Sequence, residues 1–115
     1  MSDLIPADLR LVMLGNARRS ATAEDHDPHP VVKLFTPDAN ATWLLSELDP
    51  DDPDIAFGLC DLGLGFPELG IVSLDEIASV KGALGLPVER DFAFVADRSL
   101  SAYARAARVA GAIIV

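Results

Sequence analysis

Apolar positions along this chain change their period twice, and the changes divide it into elements. Leu9, Val12, Met13 and Ala17 recur at the three-to-four-residue spacing of a helix. That spacing predicts a helix over 6–20, with Pro6 suited to a first helical position and Arg18 and Arg19 suited to its C-terminal end. Gly15 and Asn16 run against that helix, since both are poor helix formers. Ala23–Pro30 is polar and proline-containing and reads as a linker. Strand texture follows: Val31–Thr36, Thr42–Leu48, Ile55–Cys60 and Leu69–Val72 are short, rich in β-branched, Leu and aromatic residues, and punctuated by Pro, Gly and Asp. Ile55–Cys60 is apolar at successive positions, as expected of a central strand covered by a helix on at least one face.

The second half returns to helical signals. Ser73 with Glu76 is a capping box that opens a helix running to about Lys81, with Gly82 placed to end it. Glu89–Val95 reads as another strand. Asp97 or Ser99 then caps a final helix carrying Leu100, Tyr103, Ala104 and Ala107 on one face, with Arg105 and Arg108 on the other. Ala112–Val115 either adds a terminal strand or packs down on the core. Strands grouped by short connections imply an α+β domain. The expected architecture is an antiparallel meander of about four to five strands, with an N-terminal, a short middle and a C-terminal helix packed on it.

Length and composition narrow the class. A chain of 115 residues, 50% hydrophobic and 23% charged, is expected to form a single domain over 1–115 with one core. No apolar run reaches the roughly 18 to 20 residues that span a bilayer, and Leu9–Leu14 lacks a basic flank, so neither a membrane partner nor a secretion signal is expected. One cysteine, Cys60, permits no internal disulfide, which fits a reducing, cytoplasmic setting.

Charge changes the picture most. The net charge is −9. Between Leu34 and Val80 stand ten acids and no Lys or Arg: Asp38, Glu47, Asp49, Asp51, Asp52, Asp54, Asp61, Glu68, Asp75 and Glu76. The first 33 residues carry −1 and residues 81–115 carry +2. A localised excess builds a directional negative field. It repels a phosphate backbone, which argues against direct nucleic-acid binding, and it attracts basic proteins.

The densest acids form Glu47-Leu48-Asp49-Pro50-Asp51-Asp52-Pro53-Asp54, between two predicted strands. Asp49 and Asp52 precede prolines and are biased toward extended backbone. If the run is polyproline-like, alternate carboxylates lie about 6 Å apart, similar to phosphates along one DNA strand. The same residues are also ordinary turn formers. Cation binding is a third reading, but the run lacks the Asp-x-Asp-x-Asp-Gly order, and two prolines stiffen it. The candidate partner-binding residues are Glu47, Asp49, Asp51, Asp52, Asp54, Asp38 and Asp61.

Other chemistry is weak. His26 and His29 lie in the linker without Cys partners and make a poor zinc site. Cys60 lies in an apolar strand and reads as a buried structural thiol. Gly63-Leu64-Gly65 fails as a phosphate loop, because Glu68 stands where a third glycine is required. No serine sits in a nucleophile elbow, and Trp43 and Phe57 read as core. No catalytic residue, metal ligand or cofactor site is assigned.

The stretch from Val31 to Gly70 resembles an uncharacterised bacterial family, domain of unknown function 2958, and Leu84-Gly-Leu-Pro-Val-Glu-Arg-Asp91 is similar to it as well. Leu100-Ser-Ala-Tyr103 is less distinctive, and residues 18–30 and 104–115 carry no resemblance. The resemblance implies a mobile-genetic-element setting, sometimes near antirestriction functions, and supplies no catalytic residues. The expected function is a non-enzymatic, acidic protein-interaction module, a candidate nucleic-acid mimic or inhibitor that meets a basic host or element-encoded protein. Two alternatives stand beside it. One is a carboxylate-based, metal-dependent hydrolase with Asp38, Asp61 and Glu68 converging in a cleft. The other is a structural or oligomerising domain.

Overall fold

A computed structural model describes residues 4–115. The elements follow the chain as helix α1 (Ala7–Thr22), strands β1 (Val32–Phe35), β2 (Thr42–Leu48), β3 (Ile55–Asp61) and β4 (Glu68–Ser73), helix α2 (Leu74–Ser79), strand β5 (Glu89–Arg90) and helix α3 (Leu100–Ala110). The strands form one antiparallel sheet in the order β4-β3-β2-β1-β5. The expected α+β class, with three helices on an antiparallel sheet, is what the chain adopts.

Alternation along β2 explains why both faces of the sheet are covered. Trp43 and Leu45 join Met13, Leu34, Ala56 and Ile77 in the core beneath α1 and α2. Leu44 points the other way and packs with Leu59 against Leu100, Tyr103, Ala104 and Ala107 of α3. An apolar run thus serves two cores, because successive strand residues face opposite sides. All four apolar residues expected on one face of the final helix are buried. Ser99 caps it by accepting from the Ala102 N–H at 3.3 Å, and Gly111 ends it at φ 78°.

Between Leu45 and Glu47 the β2–β3 register shifts at a bulge. The shift leaves the Ser46 carbonyl to be satisfied from elsewhere, and the buried Asn16 side chain donates to it at 2.9 Å. The residue that weakened the helical pattern is therefore fixed by tertiary bonding. Gly58 lies opposite the bulge, where any Cβ would run into the Leu44 carbonyl and lie 2.7 Å from the Leu45 Cα.

Several boundaries move for identifiable reasons. Pro6 is the N-cap of α1, one position before the first helical residue. The middle helix stops at Ser79, short of Lys81, because Val80 turns extended. The strand expected over Glu89–Val95 ends at Arg90. There the Asp91 carboxylate accepts from the Ala93 N–H at 2.9 Å and pairs with Lys33 at 3.4 Å, turning the chain off the sheet. Residues 23–30 form no helix or strand but are tied down: Pro28 accepts from Leu100 N–H at 2.9 Å, and Asp27 accepts from the amide and hydroxyl of Ser101. The C-terminal tail forms no strand. It packs through Ile113, whose N–H donates to Asp61 at 2.9 Å.

Candidate interaction surface

The β2–β3 hairpin sorts the mid-chain acids into two groups at opposite ends. Seven-residue strands, at about 3.4 Å per residue, hold those ends roughly 20 Å apart. Asp38, Asp61 and Glu68 lie at one end, while the 49–54 turn lies at the other. The seven candidate residues therefore do not share one patch.

At the first end Asp38 and Asp61 are engaged by backbone amides within the fold, while Glu68 is exposed. Asp38 lies in the β1–β2 turn and accepts from the N–H groups of Leu84 (2.6 Å) and Leu86 (3.3 Å). Gly82 lies so close that a Cβ there would meet the Asp38 carboxyl group and displace it. Asp61 is 3% exposed and accepts from Gly63 N–H at 2.8 Å and Ile113 N–H at 2.9 Å. It lines a depression of about 450 Å³ with Thr36, Asn40 and Gly111, and neither Asp38 nor Glu68 reaches it. Glu68 pairs with Cys60 and so takes the opposite sheet face from Asp61. The three acids considered for a hydrolytic cleft do not converge.

The other end is different. The Asp-Pro-Asp-Asp-Pro-Asp run folds into two successive turns rather than an extended polyproline ladder. Asp49 accepts from Asp51 N–H at 2.9 Å and Asp52 from Asp54 N–H at 3.3 Å. Asp54 fastens this turn to the start of α2, accepting from the Ser73 hydroxyl at 2.6 Å and the Asp75 N–H at 2.9 Å. Those two bonds hold its carboxyl below the usual carboxylate range. They also bring Asp75 and Glu76, both exposed, beside the exposed Asp49, Asp51 and Asp52. Glu47 is half-buried behind them and accepts from the Ser20 hydroxyl at 2.8 Å. Ion pairs among the described residues join Lys33 to Asp91 and Arg98 to Asp97, so neither takes an acid from the 34–80 segment.

The sequence reading missed Asp75 and Glu76 as members of this group. Their helix-capping pattern was legible, but nothing local shows that Asp54 reaches across to them.

The remaining candidates fall into place as structure. Cys60 is half-buried, and burial pushes its thiol up to about 11, unlike a reactive thiolate. His26 is half-buried and His29 exposed. Among the described residues no group of three His, Cys, Asp or Glu side chains is placed to hold a metal ion. Trp43 is 3% exposed in the α1-side core, and Phe57 is half-buried against the α3 side. Among the described residues no helix is long and apolar enough to cross a membrane.

Residues 4–114 match the model of a family described as a protein of unknown function, DUF2958. The chain belongs to that family. The DUF2958 match extends over the stretches 18–30 and 104–114, where the sequence by eye carried no resemblance. No curated protein and no solved structure matches the chain.

Proposed function

We propose that this DUF2958 chain is a non-enzymatic module that binds a basic protein surface through the carboxylates around its 49–54 turn. The observation that carries the reading is the exposed group Asp49, Asp51, Asp52, Asp75 and Glu76, gathered at one end of the sheet with Asp54 as its internal fastener. Close-set carboxylates with no base in the segment sum to a field that steers a positively charged partner. Such a partner, encoded by the host or by a mobile element, includes proteins whose surface ordinarily holds nucleic acid. Asp38 and Asp61 serve this reading from a distance, by holding the far end of the hairpin.

The test begins with affinity capture from bacterial lysate at low and high salt, followed by association kinetics with the captured protein. A variant carrying Asp51→Asn, Asp52→Asn, Asp75→Asn and Glu76→Gln keeps the side-chain acceptors and removes four charges. Its association rate is expected to fall at least about tenfold at low salt, and the wild-type rate to drop steeply as salt rises. An association rate indifferent to both salt and the four substitutions removes the reading.

A further inference from the structure

The open edge of β4 is the least protected backbone in the molecule's sheet. Leu74 N–H donates to the Asp54 carbonyl at 2.8 Å, which sets the phase of the β3–β4 ladder. With the pairs Ala56–Val72, Gly58–Gly70 and Cys60–Glu68 in the same register, the even-numbered residues bond to β3. Leu69 and Ile71 therefore turn their N–H and C=O groups outward. Among the described residues no hydrogen bond outside the sheet reaches these groups. Ile71 is 73% exposed and Leu69 36%, and beside Gly70 the space is open. The strand has no Lys, Pro or bulge, which are the usual guards of a sheet edge.

Beside this edge lies a groove of about 400 Å³ between β4 and α2, walled by Trp43, Leu62, Val72, Ile77 and Val80. A strand laid along β4 would send alternate side chains toward that groove, with Ile71 at its rim, and over Leu69 on the opposite face. Charge selects the occupant. Glu68 stands at one end of the edge, and Asp75 and Glu76 stand just past the other, in a segment without a base. A second copy pairing antiparallel about Gly70 would set each Glu68 opposite the other chain's Val72, on the side where that chain's Asp75 and Glu76 follow, joining two chains of −9.

We propose that β4 takes up, by strand addition, an extended segment of a partner protein that alternates apolar with small polar residues and carries Lys or Arg at both ends. The proposal rests on the basic-partner reading above and names the form in which that partner binds. At about 3.4 Å per residue, some eight residues reach from Glu68 to Asp75.

The test uses the full chain against a displayed library of random peptides of about twelve residues, long enough to cover that span with ends to spare. Enriched peptides are expected to alternate apolar residues between basic ends, and to perturb and protect the amides of Leu69 and Ile71 in NMR and hydrogen-exchange measurements. Ile71→Pro deletes an outward N–H and spares the bonds to β3, so it should weaken these peptides at least about tenfold without loss of fold. N-methylation of the peptide amides that face β4 should do the same with the protein unaltered. Failure to enrich any peptide overturns the proposal, as does self-association through β4, or peptide binding that survives both backbone blocks. Binding that survives both blocks yet collapses in high salt removes strand addition alone. If no Lys-rich peptide binds in a salt-sensitive way, the basic-partner reading falls with it.

Discussion

The two edges of this sheet are built on opposite plans. β5 offers two residues, Glu89 and Arg90, both charged, and the Arg90 guanidinium lies 4.3 Å from the centre of the Phe92 ring. One residue later Asp91 and Lys33 turn the chain away. β4 offers six residues, with apolar side chains exposed and outward backbone groups at Leu69 and Ile71. Its charges lie only at the ends. Short length and mixed charge close an edge to further pairing, while length and an apolar middle leave it open. The difference follows the charge partition of the chain. The 81–115 region has bases with which to guard an edge, and the 34–80 region has none.

The strongest way to break this comparison is to unseat the strand from which β4 hangs. Gly58→Ala drives a methyl into the Leu44 backbone at the bulge, so about 3 kcal/mol of stability should be lost in urea titration. Hydrogen exchange should show β4 opening more than β5 in that variant. Next is Asn16→Ala, which leaves the Ser46 carbonyl unpaired in the sheet centre and should cost about 1–3 kcal/mol. Because it acts at the centre, it should shift both edges alike.

Acid sharpens the comparison, because a carboxylate fastens each edge. Asp54 is held low by the Ser73 hydroxyl and Asp75 N–H, and Asp91 by the Ala93 N–H and then Lys33. A folded-state pKa below the unfolded one, near 3.9, gives stability that is complete well above that value. It drains away as pH falls through it toward the folded pKa. The urea midpoint should therefore decline below about pH 4, and Asp54→Asn and Asp91→Asn should each flatten that decline. Hydrogen exchange in acid should then open the α2 junction in wild type but less so in the Asp54 variant.

The smallest effect on stability should come from Ile71→Lys, within about 0.5 kcal/mol at this exposed site. It supplies the guard that β4 lacks and should weaken binding of the basic-ended peptides, measured by titration. Glu89→Val should leave that peptide binding unchanged, since a two-residue edge is too short to template a strand.

Elements whose signal is local were legible. β2 occupies Thr42–Leu48 as its pattern implied, and Leu100, Tyr103, Ala104 and Ala107 form one buried face of α3. The strand expected through Val95 was not, because Asp91 ends it by bonding with Ala93 and Lys33, and the latter lies on another strand. The candidate site was half legible. Asp49 and Asp52 form turns as their type suggests, and the acid-rich turn is exposed. That Asp54 would be taken up by Ser73 and Asp75, and Asp61 by Ile113, has no local signature.

Periodicity, capping residues and the charge partition thus belong to the sequence itself, since each depends on neighbours within one turn or one strand. Which carboxylates stay free, and which strand is left open, were decided only by the folded chain. A carboxylate's fate turns on amides within about 3 Å. For Asp54, Asp38 and Asp61 those amides come from residues 21, 46 and 52 positions away. An edge, likewise, is defined by the strand that does not arrive.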